Sequence, residues 1–208
     1  MHDAIVLTVY AFGVSHLAVR MPPPRDRRGA ERGNGGSWRS AARRSLPAGE
    51  RGRPGYHYEY HASFVHTFRA QIVSLIASGV FKTFPMLRFV LEQGGFAWLP
   101  ALMWRLDRTW RRMGAETTRL DEAPSATVRK HFWFTTQPVD EAERPQQFME
   151  MLGHLEQIGM LDRMMFATDY PHCNFDSPEK ALPDLLAGEP KERIFQRNAQ
   201  ALYRFATT

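Results

Sequence analysis

Cysteine is almost absent from this 208-residue chain: Cys173 is the single one. An intrachain disulfide framework is excluded, and a reducing, cytoplasmic setting is expected. Cys173 stands beside His172, so a metal or nucleophile role is open, against the plainer one of a small residue. No apolar run approaches the length of a membrane span, so no membrane partner is expected. The mildly apolar stretch 4–19 has no basic leader before it and is interrupted by Tyr10, Ser15 and His16, so it does not read as a signal peptide. Internal repeats and heptad runs are also missing.

Lysine is missing from one segment altogether. Between Arg20 and Arg53 there are ten Arg, no Lys and three acids, a net charge of +7, while the rest of the chain carries −2. The basicity summarised by the overall +5 therefore lives in this one stretch. It is rich in Gly, Ser and Pro, poor in aliphatic residues, and cannot bury enough apolar surface to fold alone. A nucleic-acid-binding arm is one reading. Trp38 is its only aromatic residue, which leaves base stacking without support, so a nucleic-acid partner is not expected. Arg without Lys, mixed with Gly, Ala, Pro and Ser, is also what GC-rich DNA encodes out of frame. On that reading residues 1–53 are a disordered or out-of-frame leader outside the fold, and the domain proper is 54–208.

From Pro54 onward the chain has the order of an α/β protein. Phe64, Phe68, Ile72 and Ile76 recur every four residues, which predicts a helix over 61–78 closed by Gly79. A strand is predicted over 87–91, followed by Glu92-Gln93-Gly94-Gly95, a loop whose glycines permit tight turns. Pro100 opens a helix whose stripe is Leu99, Leu102, Met103, Leu106, Trp110 and Met113. A strand over 131–136, a helix carrying Phe148 to Ile158 and stopped by Gly159, a strand over 164–168 and a last helix over 191–205 complete the pattern. Strands alternating with helices imply a parallel sheet. Three strands are too few to close an eight-stranded barrel.

The last of those strands carries the sharpest chemical signal. Met164-Met165-Phe166-Ala167 is apolar, Asp169 follows, and His172 comes three residues later. A buried parallel strand delivers an acid to the mouth of a barrel in this way. Asp169 there is a metal ligand or a base, with His172 sharing its proton. Equally, Asp169 starts a turn before Tyr170-Pro171. His61 and His66 are five apart and do not share a helix face. His57, His131 and His154 have no local support for chemistry. Arg105 and Asp107 fit a pairing or capping role, and Phe96 and Trp98 either line an aromatic pocket or pack. Asn198, on the last helix, is expected to bond backbone.

Seven segments occur in one order: 55–61 (Gly-Tyr-His-Tyr-Glu-Tyr-His), 84–88 (Phe-Pro-Met-Leu-Arg), 94–100 (Gly-Gly-Phe-Ala-Trp-Leu-Pro), 105–107 (Arg-Leu-Asp), 135–138 (Thr-Thr-Gln-Pro), 166–172 (Phe-Ala-Thr-Asp-Tyr-Pro-His) and 198–203 (Asn-Ala-Gln-Ala-Leu-Tyr). Together, over about residues 55–205, they resemble the C-terminal half of the amidohydrolase-related family, the group that includes aminocarboxymuconate semialdehyde decarboxylase. The resemblance implies the C-terminal part of a (β/α)8 barrel, incomplete in this chain. It implies a small-molecule substrate and a divalent metal, typically zinc, held by a His-x-His pair, a further His, and an Asp that Asp169 matches. Asp169 and His172 are then the catalytic pair, and His61, Gln93 and Trp98 the substrate contacts.

The departures from that family matter equally. No His-x-His occurs in the chain, and Gln93 stands where relatives place Glu or His. A neutral amide hydrogen-bonds a substrate but supplies no acid or base. Three activities are carried forward: a metal-dependent hydrolase represented by a truncated copy, a nonoxidative decarboxylase of an aromatic or cyclic acid, and an inactive barrel fragment. Uncovered strand edges also predict low solubility or association, with a homo-oligomer among the outcomes.

Overall fold

In a computed structural model, the structure describes residues 5–10, 65–113, 120–139, 142–168 and 186–203, with isolated positions 56, 58, 62, 170, 182 and 184. Among the described residues, four strands form one parallel sheet in chain order: β1 (Ile5–Tyr10), β2 (Leu87–Glu92), β3 (Phe132–Thr135) and β4 (Met164–Met165). The three expected strands are present, although β4 has two ladder residues rather than five. The fourth strand was not expected. Ile5–Tyr10 lies parallel to β2, Ile5 opposite Leu87 through Tyr10 opposite Glu92. The reading of residues 1–53 as standing outside the fold therefore does not extend to 5–10. Six residues without charge, Gly or Pro suit a strand, and what the sequence withheld was a partner within reach.

Parallel strands need crossover connections, and the helices supply them. Helix α1 (Val65–Ala77) buries Phe68, Ile72, Leu75 and Ile76, the four-residue recurrence visible in the sequence. Gly79 ends the segment in the left-handed region, φ 72°, where a side chain would be strained. A short helix, α2 (Val80–Thr83), leads into β2. In α3 (Leu99–Arg112) the predicted stripe is buried only at its start. Leu99, Leu102 and Met103 are in the core, Leu106 and Trp110 are half-buried, and Met113 is exposed. Helix α4 (Pro124–His131) is a correction, because 131–136 was expected to be all strand and nothing helical was expected before it. Its polar sequence shows no apolar stripe. Its start is capped from a distance: the Asp107 carboxylate accepts the Ser125 N–H at 2.9 Å, which gives Asp107 the capping role.

Helix α5 (Pro145–Gln157) buries Phe148, Leu152 and Leu155, and Gly159 follows it at φ 70°. The last helical run has three parts: α6 (Gly188–Glu192), a π turn over Arg193–Arg197, and α7 (Asn198–Tyr203). One continuous helix was expected there. The π turn widens the coil by a residue, a local change that re-aims side chains and often marks a functional feature. Here it accompanies three bonds to β4 and its flanks. The Ile194 carbonyl accepts the Phe166 N–H at 2.9 Å, and Asn198 Nδ2 donates to the carbonyls of Leu161 (2.8 Å) and Met164 (2.6 Å). Arg193 adds ion pairs to Glu156 and Asp162.

The two faces of the sheet differ. Leu87, Phe89, Leu91, Phe132, Phe134 and Met164 belong to the large core shared with α1 to α5. Phe81, Phe89 and Phe132 meet ring to ring, with centroids 5.3–5.8 Å apart. The other face carries a smaller cluster of Val90, Trp133 and Met165, against which Ala199 and Leu202 of α7 pack. The guanidinium groups of Arg163 and Arg88 lie 4.4 Å and 5.9 Å from the Trp133 ring. No helix among the described residues is long and apolar enough to cross a membrane.

His131 joins the two layers as a structural residue. It is buried, its ring lies 4.2 Å from that of Phe81, and Nδ1 is 2.8 Å from the Leu87 carbonyl. Arg88 Nη1 is 3.2 Å from the same nitrogen and only donates, so the shorter carbonyl contact assigns the proton to Nδ1. Burial pushes the imidazole below its ordinary pKa; the Leu87 carbonyl pulls it up, and the Arg88 charge lowers it again. The unfolded chain therefore binds a proton at pH values where the folded chain does not. This contribution to stability is full above about pH 6.5 and is lost as the pH falls from there through the lowered folded value. Thermal melts at about pH 7.5 and about pH 5.5 are expected to show a larger drop for the native chain than for His131→Gln. Equal drops would mean that His131 does not carry the acid sensitivity.

Candidate functional site

Because all four strands run the same way, their C-terminal ends lie along one edge. Ligands of open α/β sheets bind outside that edge. Strand β2 ends in Glu92 and Gln93, β3 in Thr135, Thr136 and Gln137, and β4 leads through Phe166, Ala167 and Thr168 to Asp169.

Gln93, Thr135, Thr136 and Gln137 are all buried, although every one is polar. Buried polar groups need partners, and the two threonine hydroxyls find theirs across the strand ends. The Gln93 N–H donates to Thr135 Oγ1 at 3.4 Å, and that hydroxyl donates to the Gln137 carbonyl at 3.4 Å. Both bonds are long and correspondingly weak. Thr136 bonds more tightly: its N–H donates to the Met165 carbonyl at 2.9 Å, and its Oγ1 accepts the Ala167 N–H at 3.2 Å. The two threonine hydroxyls thus tie the ends of β2 and β4 to β3. Thr136 holds the backbone two residues before Asp169. The peptide Gln137-Pro138 is cis, and the chain leaves the site there.

Gln93 has φ 62°, and no other non-glycine residue has positive φ among the described ones. Such conformations are uncommon for residues with a Cβ and cluster where function fixes the backbone. The next residue is tightly packed: a Cβ on Gly94 would stand 3.1 Å from the Phe68 ring, which would have to give way by a few tenths of an ångström. Trp98 closes the same loop by donating its indole N–H to the Gly94 carbonyl at 2.9 Å, and its ring meets Phe134 edge-on at 6.0 Å. The polar end of Trp98 is therefore engaged by backbone, and only its ring surface is left for a ligand. Phe96 is fully buried against Phe148, a packing residue.

Of the residues expected to form the site, Gln93 and Trp98 stand together on the loop after β2. Asp169, His172 and His61 lie outside the described residues. His66 and His154 are exposed on helices. Thr135, Thr136 and Gln137 lie in the family-like segment 135–138, and the sequence does not single them out as site residues. Their signal was the abrupt change from Phe132-Trp133-Phe134 to a polar run.

The donor set does not complete a metal centre. Among the described residues no three His, Cys, Asp or Glu side chains converge. The buried layer of Gln93, Thr135, Thr136 and Gln137 offers amides and hydroxyls, whereas zinc takes imidazole, thiolate and carboxylate. A cavity of about 410 Å³ lies at the opposite end of the sheet, lined by Ile76, Phe81, Pro85, Lys82, Lys130 and His131. It opens on the N-terminal ends of β2 and β3, away from the polar layer.

Comparison with known proteins places this geometry. The amidohydrolase family profile matches residues 37–205. No curated protein matches the chain. Solved structures share its fold. A dihydroxybenzoic acid decarboxylase from Polaromonas sp. JS666, with bound manganese and the inhibitor 2-nitroresorcinol, is 20% identical with a TM-score of 0.53, over 73% of this chain and 48% of that one. A 2,6-dihydroxybenzoate decarboxylase from Rhizobium is 21% identical, TM-score 0.53, over the same shares. An amidohydrolase from Mycobacterium avium subsp. paratuberculosis K-10 is 20% identical, TM-score 0.53, over 70% of this chain and 35% of that one. The chain thus spans less than half the length of these relatives. The fold is part of an amidohydrolase barrel.

Proposed function

This chain belongs to the amidohydrolase family, and from that premise we propose that it carries the C-terminal part of a nonoxidative decarboxylase acting on an aromatic acid. The observation that carries the reading is the buried polar layer Gln93–Thr135–Thr136–Gln137 at the C-terminal ends of a parallel sheet, leading to Asp169. Decarboxylation is favoured over hydrolysis because two relatives of the same fold act on dihydroxybenzoate.

The reaction needs few groups. The bond between ring carbon and carboxyl carbon breaks, its electron pair stays on the ring, carbon dioxide leaves, and one proton is delivered to that ring carbon. No oxidant or reductant is required. In this assignment Asp169 and His172 hold and deliver the proton, and Gln93 hydrogen-bonds the substrate with an amide that stays neutral. The ring surface of Trp98 flanks the substrate, and His61 is a further contact. A divalent cation belongs to the proposal. Manganese is the one to try before zinc, since a dihydroxybenzoic acid decarboxylase of this fold holds it. Asp169 is the ligand this assignment gives to the cation.

The test is release of labelled carbon dioxide from carboxyl-labelled 2,6-dihydroxybenzoate by the purified full chain with manganese, beside Asp169→Asn. Release lost by at least about a hundredfold in the variant is the expected result. Cleavage of ester or amide substrates without carbon dioxide would transfer the chain to the hydrolase reading. Turnover of neither would identify an inactive barrel fragment.

A further inference from the structure

Helix α3 turns two unlike faces. Leu99, Leu102 and Met103 sit in the core, while Trp104, Arg105, Arg108, Arg111 and Arg112 are all exposed. At 3.6 residues per turn these five fall within about 120° of arc, and the arginines span about 10 Å of the axis. Asp107, the single acid in the helix, lies off this arc and accepts the Ser125 N–H. Trp104 keeps 57% of its surface in solvent. Arg111 and Arg112 suit the negative end of the helix dipole, but Arg105 and Arg108 stand before the last turn. Arg108 has Arg105, Arg111 and Arg112 three or four positions away, and like charges at that spacing weaken a helix. The needs of the helix therefore do not account for this face, and the proposed site uses none of its residues.

We propose that the outward face of α3 docks on an anionic lipid bilayer, with its arginines on headgroup oxygens and the Trp104 ring at headgroup level. Charge complementarity carries the choice of partner. Four positive side chains on one helix face match a surface of lipid phosphates and carboxylates. The face has Arg and no Lys, and the guanidinium fork meets such oxygens two at a time. An indole suits the boundary between headgroups and acyl chains. A nucleic-acid strand would ask for several rings on which successive bases stack, and Trp104 is the one ring on the arc. Because the apolar side of α3 is held in the core, the helix lies on the bilayer and does not insert. The lack of a spanning run excludes crossing, not contact at the surface.

The experiment is co-sedimentation of the full chain with phosphatidylcholine vesicles, with and without about one third phosphatidylserine. Binding to the anionic vesicles alone is expected, weakening as salt is raised. A variant combining Arg105→Gln, Arg108→Gln, Arg111→Gln and Arg112→Gln is expected to bind at least about twentyfold more weakly. The same four positions changed to Lys are expected to stay within about threefold of the native chain. All these chains keep the arginines of 20–53, so binding unchanged by the glutamines would assign it to that segment and overturn the proposal. A native chain that ignores anionic vesicles would overturn it too. So would duplex DNA or polyglutamate bound as tightly at the same salt, which would give the face to a nucleic acid or an acidic protein. Should the glutamine variant not fold, quenching of the native chain's Trp fluorescence by lipids brominated near the headgroup decides. It is expected to fall in Trp104→Phe, and equal quenching in the two chains would overturn the proposal.

Discussion

Replacing Phe132 with alanine is expected to lower the unfolding free energy by about 3–5 kcal/mol, the range for truncating a fully buried aromatic ring. Phe132 has no exposed surface and sits where β3 meets both Phe81 and Phe89, the latter ring stacked at 5.5 Å. Its removal leaves a cavity between two rings whose backbones are held by the sheet and by α2, so the site collapses poorly. Domains of this kind are stable by about 5–15 kcal/mol, so the variant is expected to be largely lost at moderate denaturant. Urea unfolding followed by circular dichroism measures the shift. Phe132→Leu keeps most of the volume and is expected to lose less than half as much. Equal losses in the two variants would place the effect in ring contacts rather than in the cavity.

Asn198→Ala is expected to lower stability by about 2–4 kcal/mol, because it strands two buried carbonyls at once. Asn198 is 5% exposed, and its one amide nitrogen serves both Leu161 and Met164. The sign of charge offers an independent check. Asn198→Asp has the same shape, but above its pKa it turns an acceptor-only carboxylate toward two carbonyl oxygens. It is expected to be worse than alanine at neutral pH and to recover as the pH falls. An aspartate variant as stable as the native chain at neutral pH would mean that the two bonds matter little. Either loss frees the edge of β4, the strand that leads to Asp169. The alanine variant should therefore also show faster amide exchange over 164–168.

Much of the fold was legible because its signals are local. Helix α1 announces itself through Phe68, Ile72 and Ile76, and the main-chain reversals through Gly79 and Gly159, both at positive φ in the structure. Strands β2 and β3 were legible as short apolar runs. Helix α4 was not, because its stabilisation arrives from Asp107, eighteen positions from Ser125, rather than from a stripe of its own. The π turn was equally hidden: 193–197 has ordinary helical composition, and only the bonds to Phe166, Leu161 and Met164 explain its use. At the site, Gln93 could be picked out by position, but its φ of 62° and the bridging by Thr135 and Thr136 are consequences of strand adjacency.

The sequence by itself determined the class of the protein: alternating strands and helices, a strand running toward Asp169, no His-x-His pair, and motifs of one barrel family over about residues 55–205, inside the 37–205 that the family profile matches. These are properties of periodicity and residue type, which a linear string records. Only the tertiary structure decided that Ile5–Tyr10 enters the sheet beside β2, and that His131 and Asn198 are structural. It also decided that Ile194 and Asn198 bond the backbone of β4 and its flanks. Those outcomes depend on which backbone groups meet across long separations. A strand's pairing, a histidine's proton and an edge's closure are settled by the partner that burial brings within hydrogen-bond reach.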